Sequence, residues 1–245
     1  MKHLLITGAG RGIGRHLLET FAPTVERVAI FDIDEVGGRE AQNMFPNATF
    51  YSCDVADAEA VNATVEASYS DGFDFDGIIN NAGIIHSAPL INLLAREDRT
   101  HSVSDWNKVI ATNLNSVFYI TSQIVDRMIR NRVKGTIINI SSISAKGNPG
   151  QSAYSAAKAG VDALTKTWAK ELGPMGLRFI SIAPGFIDTP STAEALTPDR
   201  LAKITSQVPL RRLGSLDHLS QTVQFAFEND YVNGTILEVD GGLVI

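Results

Sequence analysis

The chain alternates short apolar runs with longer stretches in which apolar residues recur every three or four positions. The short runs predict strands near 3–7, 28–32, 49–53, 77–80, 135–140, 178–183 and 235–239. The longer stretches predict helices near 13–22, 35–44, 57–69, 104–131, 153–173, 198–206 and 216–228. Runs such as Val28-Ala29-Ile30-Phe31 show no polar alternation, the mark of a strand covered on both faces. Strand followed by helix, repeated along the chain, predicts parallel βαβ units with right-handed crossovers. The expected architecture is α/β: one domain with a doubly wound, seven-stranded parallel sheet and helices on both faces.

Two helices carry more apolar surface than packing on a sheet requires. Over 104–131, one stripe holds Trp106, Val109, Ile110, Asn113, Val117, Ile120 and Ile124, and a second holds Leu114, Phe118, Val125, Met128 and Ile129. Over 153–173, the small residues Ala156, Ala159, Gly160 and Ala163 line one side. Close approach of these helices across a subunit boundary is the expectation, hence a homo-oligomer, dimer or tetramer. A helix pair buried within one monomer is the alternative.

The first predicted strand, Leu4-Leu5-Ile6-Thr7, runs into Gly8-Ala9-Gly10-Arg11-Gly12-Ile13-Gly14. Ile13, Leu17, Leu18 and Phe21 then follow at helical spacing. Strand, glycine turn and helix are the context of a phosphate-binding loop. Glycine lets backbone N–H groups approach a pyrophosphate, and the helix N-terminus adds partial positive charge. The strict Gly-x-Gly-x-x-Gly spacing fails because Ile13 occupies its last position; the pattern is Gly8-x-x-x-Gly12-x-Gly14. The second strand ends in Asp32. An acid about twenty residues past such glycines accepts hydrogen bonds from an adenosine ribose. A carboxylate there also repels a 2′-phosphate, so NAD is expected ahead of NADP. Arg11 pulls the other way, since a guanidinium pairs with phosphate. Asp32 weighs more, because Ile33, Asp34 and Glu35 follow it and no basic residue does.

Tyr154 and Lys158 stand four residues apart and so share one helix face. They follow Asn139-Ile140-Ser141-Ser142 at the end of the fifth strand. Chance supplies roughly 0.16 such pairs in a chain of this composition, so the pair gains meaning from its neighbours. A phenol with a pKa of about 10 is a poor base at neutral pH. An ammonium about 5 Å away, at an effective dielectric near 20, contributes roughly 3 kcal/mol, which predicts a fall of about two pKa units. Asn113, inside an apolar stripe, needs partners: either local backbone groups or a water leading to Lys158. Asp54-Val55 and Asn80-Asn81-Ala82-Gly83 end the third and fourth strands, at the edge where an open parallel sheet binds ligands. Asp54 equally suits a cap on the next helix.

Composition narrows the classes. A formal charge of −6 argues against nucleic acid as a partner. No apolar run approaches the roughly 18 residues of a membrane span, and the first residues enter a strand with no signal-peptide layout. Cys53 is the only cysteine, so no internal disulfide can form, which fits a reducing cytosol. The histidines lack ligand spacing, and no metal is expected. A cytoplasmic protein acting on a small molecule is the expectation.

Thr7-Gly8-Ala9-Gly10-Arg11-Gly12-Ile13-Gly14, Asp54-Val55, Asn80-Asn81-Ala82-Gly83, Asn113, Ser141-Ser142, Tyr154-x-x-x-Lys158, Pro184-Gly185 and Val239-Asp240-Gly241-Gly242 occur in that order. On these residues the chain resembles the classical short-chain dehydrogenases/reductases over essentially its whole length. It is most similar to 3-oxoacyl thioester reductases and NAD-linked alcohol dehydrogenases. The resemblance implies a Rossmann fold and hydride transfer between nicotinamide and a secondary alcohol or ketone, with a 3-hydroxyacyl/3-oxoacyl thioester as one candidate substrate. It implies a catalytic tetrad of Asn113, a serine, Tyr154 and Lys158, with Lys158 also holding the nicotinamide ribose. The cofactor residues it implies are Gly8, Arg11, Gly12, Ile13, Gly14, Asp32, Ile33, Asp54, Val55, Asn81, Ala82, Gly83, Ser141, Tyr154, Lys158, Pro184, Gly185, Ile187 and Thr189.

The serine is ambiguous. The usual spacing before the tyrosine counts to Ser141, whereas strand register points to Ser142. Register fixes direction better than loop length. Ser142 is therefore expected at the substrate and Ser141 on the nicotinamide side. The resemblance makes 186–214 a substrate lid, with Ile187 and Thr189 near the nicotinamide carboxamide. It leaves the charged segment 93–101 without a role. The alternative function is a catalytically silent dinucleotide sensor or scaffold, which would not need the Tyr154/Lys158 pair.

Overall fold

The computed structural model describes residues 1–189 and 197–245. Its strands are β1 (His3–Thr7), β2 (Arg27–Asp32), β3 (Ala48–Ser52), β4 (Gly77–Asn80), β5 (Gly135–Ile140), β6 (Leu177–Pro184) and β7 (Thr235–Val239). They form one seven-stranded sheet in the order β3-β2-β1-β4-β5-β6-β7. Every neighbouring pair is parallel. The helices are α1 (Gly12–Phe21), α2 (Glu35–Met44), α3 (Ala58–Ser70), α4 (Val103–Ile110), α5 (Ser116–Asn131), α6 (Ser152–Leu172), α7 (Pro198–Gln207) and α8 (Leu216–Glu228). Winding runs outward from β1 to β3, then returns to β4 on the other side of β1. That reversal opens a crevice at the carboxyl ends of β1 and β4, where such sheets bind ligands.

The period of two along each strand sorts side chains between two cores. Leu4, Ile6, Val28, Ile30, Ile138 and Ile180 pack beneath Leu17 and Leu18 of α1 and Leu219 and Val223 of α8. The intervening Leu5, Ala29, Phe31, Ile78, Ile137 and Phe179 pack against Val61 and Val65 of α3 and Ile120 and Ile124 of α5. Both faces are thus dry, which is why the strand sequences read as unbroken apolar runs.

The predicted helix over 104–131 is corrected by the structure. It is α4, a π-helical turn at Ala111–Asn115, and α5. Ser116 N–H donates to Ala111 O, five residues back. Asn113, within that turn, is 1% exposed, in line with its place in an apolar stripe, and the extra residue shifts the register of the helix after it. Apolar periodicity does not register this, because the stripes on either side of the turn remain intact.

A polar seam crosses the otherwise apolar interior. Asn80 Nδ2 of β4 donates to Thr121 Oγ1 of α5 at 3.0 Å and to Asn139 Oδ1 of β5 at 2.9 Å. Asn139 Nδ2 donates to Thr165 Oγ1 of α6 at 2.9 Å, and Thr165 meets Ser181 Oγ of β6 at 2.8 Å. All five residues are buried. Such a chain fixes the register of two helices against three strands directly below the site.

Candidate active site

The glycine loop is shaped by close approaches. Gly8 adopts φ +69°, and a Cβ there would lie 2.8 Å from Ala82 Cα. A Cβ on Gly14 would lie 2.1 Å from Gly8 O. Asn81 Nδ2 donates to Thr7 O and Gly8 O at 3.0 Å, and the N–H groups of Asn81 and Ala82 both donate to Thr7 Oγ1 at 3.0 Å. The loop is therefore clamped to the end of β4. Helix α1 starts at Gly12 with no side-chain cap and no acid in its first turn. Its leading N–H groups remain available to an anion, and Gly12 has nothing within 4 Å of a would-be Cβ. These features fit a dinucleotide pyrophosphate.

Asp32 is 9% exposed, with Oδ2 accepting from Gly10 N–H at 2.7 Å and Oδ1 from Asp34 N–H at 2.9 Å. It braces the loop it was expected to serve, leaving lone pairs on both oxygens for a ribose. Asp34 caps α2 through Gly37 N–H. Arg11 and Ile33 are exposed beside this edge, and Ile13 is half-buried. Arg15 was missed by sequence reading. Its guanidinium donates to Gly10 O at 2.9 Å, Gly37 O at 2.6 Å and Ala9 O at 3.3 Å, tying the loop to α2. The available signal was a basic residue near a helix N-terminus, where the dipole disfavours it.

Asp54 accepts from Ala56 N–H at 2.9 Å, and the cap of α3 is Asp57 instead. Of its two expected roles, the helix cap is thereby removed. Val55 is buried in the core. A Cβ on Gly83 would meet Asn113 Oδ1 at 2.6 Å, so this glycine lets the two segments touch. Asn113 Nδ2 donates to Ile84 O and Val109 O at 3.0 Å, and Oδ1 accepts from Ile84 N–H at 3.1 Å. Of its two expected partners, the structure shows local backbone. One lone pair on Oδ1 and the main chain of the π turn are what it offers beyond that.

Tyr154 lies in the first turn of α6 and Lys158 one turn further. Lys158 Nζ sits 5.7 Å from the Tyr154 ring centroid and donates to Ile140 O at 2.6 Å. The Ser142 hydroxyl lies against the Tyr154 phenol and favours its ionised form. Burial acts more strongly and pushes the phenol above its ordinary value. The expected fall of about two units is thus reversed: desolvation dominates, and Lys158 aims its ammonium at a carbonyl. Burial pulls Lys158 itself down to about 8, with the charge of Asp162 opposing.

Strand alternation turns Ser141 the other way. It is 2% exposed, and its hydroxyl meets Lys158 O at 3.4 Å and faces Asp162. Its side chain does not line the crevice, which corrects the expectation for Ser141 on the nicotinamide side. Gln151, also missed, joins three segments. Its Oε1 accepts from Ser144 Oγ and Asn148 Nδ2 at 2.9 Å, and its Nε2 donates to Ser87 Oγ at 3.2 Å.

Pro184 ends β6, and Gly185 N–H donates to Val239 O at 3.0 Å. Ile187 is buried and bridges to Gly214. Thr189 is half-buried, at the edge of the described chain. Of the expected lid over 186–214, residues 190–196 lie outside the described residues, and α7 occupies much of the remainder. The unassigned segment before α4 makes a small antiparallel bridge, Ile91 to Thr100.

A doubly wound parallel sheet, a glycine loop at its switch point and a Tyr/Lys/Ser group at the end of β5 define a class: dinucleotide-binding oxidoreductases. Known proteins narrow it. The family model described as enoyl-(acyl carrier protein) reductase matches residues 8–244. The chain is 38% identical to the 3-oxoacyl-[acyl-carrier-protein] reductase of Thermotoga maritima, covering 100% of this chain and 98% of that one. It is 36% identical to human (3R)-3-hydroxyacyl-CoA dehydrogenase, covering 98% and 94% respectively. The crystal structure of a 3-oxoacyl-[acyl-carrier protein] reductase from Brucella melitensis superposes with a TM-score of 0.88 at 30% identity, covering 100% of this chain and 91% of that one. The chain belongs to the short-chain dehydrogenase/reductase family and is an oxidoreductase. Among the described residues, no helix is long and apolar enough to cross a membrane, and no side-chain cluster is suited to a metal.

Proposed function

We propose that the protein is an NAD-linked oxidoreductase interconverting a 3-oxoacyl thioester and its 3-hydroxyacyl form. The observation that carries the reading is the grouping of Ser142, Tyr154 and Lys158 at the carboxyl end of β5, next to the glycine loop. The substrate class is supported by what the relatives are named for. NAD over NADP is supported by Asp32, whose carboxylate ends β2 with Ile33 and Asp34 behind it. Gly8, Gly12, Ile13 and Gly14, with the N–H groups of α1, would hold the pyrophosphate. Asp32 and Ile33 would flank the adenosine, Asp54 and Val55 would flank its base, and Asn81, Ala82 and Gly83 would line the path towards Tyr154.

Bound NAD supplies the hydride donor or acceptor; the chain manages charge on the substrate oxygen. Tyr154, held protonated at neutral pH by burial, gives its proton to the carbonyl oxygen in reduction. Ser142 donates a second hydrogen bond as that oxygen becomes negative. Lys158, an ammonium below about pH 8, offsets the charge left on the phenolate. Asn113 positions this group by holding the π turn against Ile84.

The exposed aromatic and small residues of α4–α6 support a homo-oligomer. Trp106 and Phe118 remain 39% and 50% exposed, and Ala156, Ala159 and Ala163 form an open stripe. The lone buried Cys53 supports a cytoplasmic setting. The deciding experiment measures Tyr154→Phe turnover with NADH and a 3-oxoacyl thioester, alongside NADH binding by fluorescence. A loss of about 10³-fold in kcat with unchanged affinity is expected. Wild-type-like turnover in that variant would remove the tyrosine from the chemistry.

A further inference from the structure

Tyr154, Lys158 and Asp162 occupy successive turns of one face of α6. The first two belong to the chemistry proposed above; the third has no part in it. Asp162 Oδ1 is buried with no hydrogen-bond partner. Buried carboxylate oxygens are normally satisfied, so this one marks a site where charge matters more than packing. Burial pushes the Asp162 carboxyl above its ordinary value, and the hydroxyls of Ser141 at the end of β5 and Ser181 on β6 and the charges of Lys166 and Lys158 oppose that push. Thr165 donates to Val161 O at 2.9 Å, and its 2.8 Å contact with Ser181 Oγ joins the surroundings of the acid to the polar seam. Ser141 also contacts the Lys158 carbonyl, so acid and lysine share a neighbour.

We propose that Asp162 is a positioning residue for the reaction: its carboxylate is the counter-charge that keeps the enclosed Lys158 an ammonium beside Tyr154. The inference rests on the enzymatic reading above. Lys158 is 4% exposed, and its Nζ contact is the neutral Ile140 carbonyl. An ammonium enclosed this way needs a nearby negative charge. Among the described residues, charged groups on the surrounding elements are engaged elsewhere. Lys146 pairs with Glu238 of β7, Asp105 of α4 faces His86, and Lys108 is at the surface. Arg178 of β6 holds carbonyls at the end of α8. Lys166, a turn beyond, is exposed and acts on Asp162 rather than on Lys158.

The test compares wild type, Asp162→Asn and Asp162→Glu by two readouts. The first is the pH profile of kcat for reduction. Its basic limb should move down by about one unit in Asp162→Asn, the size expected of one lost charge a helical turn away, and should return in Asp162→Glu. The second needs no substrate: chemical denaturation between pH 6 and 10. A lysine whose folded pKa lies below its unfolded one makes stability rise with pH between the two values. That rise should begin about one unit lower in Asp162→Asn, and the difference should vanish in a Lys158→Met background. Superimposable wild-type and Asp162→Asn curves in the denaturation series would overturn the proposal, as would a difference that persists without Lys158. Absence of turnover in wild type would instead sink the enzymatic reading, while denaturation still decides the pairing. Should Asp162→Asn not fold, Ser181→Ala strips one hydroxyl from the acid and should shift both curves the same way by a smaller amount; no shift overturns the idea.

Discussion

Gly14 offers the sharpest test of how the loop is built. Its φ is not left-handed, so an alanine there carries no backbone strain of its own. The cost is steric. The new Cβ would stand 2.1 Å from Gly8 O and 2.5 Å from Asn81 Nδ2, where ordinary contact begins near 3.4 Å. The carbonyl cannot retreat freely, because Gly8 N–H is held by Phe31 O at 2.8 Å and Gly8 O by Asn81 at 3.0 Å. Overpacking of this kind costs about 3 kcal/mol. Gly12 is the control. Its Cβ meets nothing within 4 Å, but φ is +58°. Gly12→Ala should therefore cost only about 1 kcal/mol of stability, while placing a methyl group where the pyrophosphate is expected. Urea denaturation and NADH fluorescence titration separate the two. Gly14→Ala should lose stability and cofactor together. Gly12→Ala should lose cofactor affinity by more than its stability explains. A Gly14→Ala protein with wild-type stability would refute the close-packed loop, and unchanged affinity in Gly12→Ala would refute its role as an anion cradle.

Three further outcomes follow from the site. Ser142→Ala should lower kcat by about 10²-fold, whereas Ser141→Ala should act mainly on stability; steady-state kinetics of the pair show which hydroxyl faces the substrate. Asp32→Ala should weaken NADH binding, narrow the preference against NADPH, and destabilise by about 1–3 kcal/mol because Gly10 N–H loses its acceptor; calorimetric titration with both cofactors checks it. Reductive turnover should fall as pH rises through about 8, since Lys158 then loses its proton. A profile flat to pH 10 would contradict that.

Much of this protein is determined by its sequence alone. Strand and helix positions followed from apolar periodicity, and the βαβ order followed from their alternation. Gly8, Gly12, Gly14, Asp32, Tyr154 and Lys158 were legible because each lies close along the chain to the element that aims it. What only the tertiary structure decided involves groups distant in sequence. The contact of Asn113 with Ile84, the reach of Arg15 to Gly37, the bridge from Gln151 to Ser87 and the serines around Asp162 depend on how separate elements meet. The upward push on Tyr154 belongs here too. Spacing placed a positive charge nearby, but burial, which is a property of the packed molecule, set the direction. Local pattern encodes where a side chain points along its own element; desolvation and partner choice exist only once the elements pack.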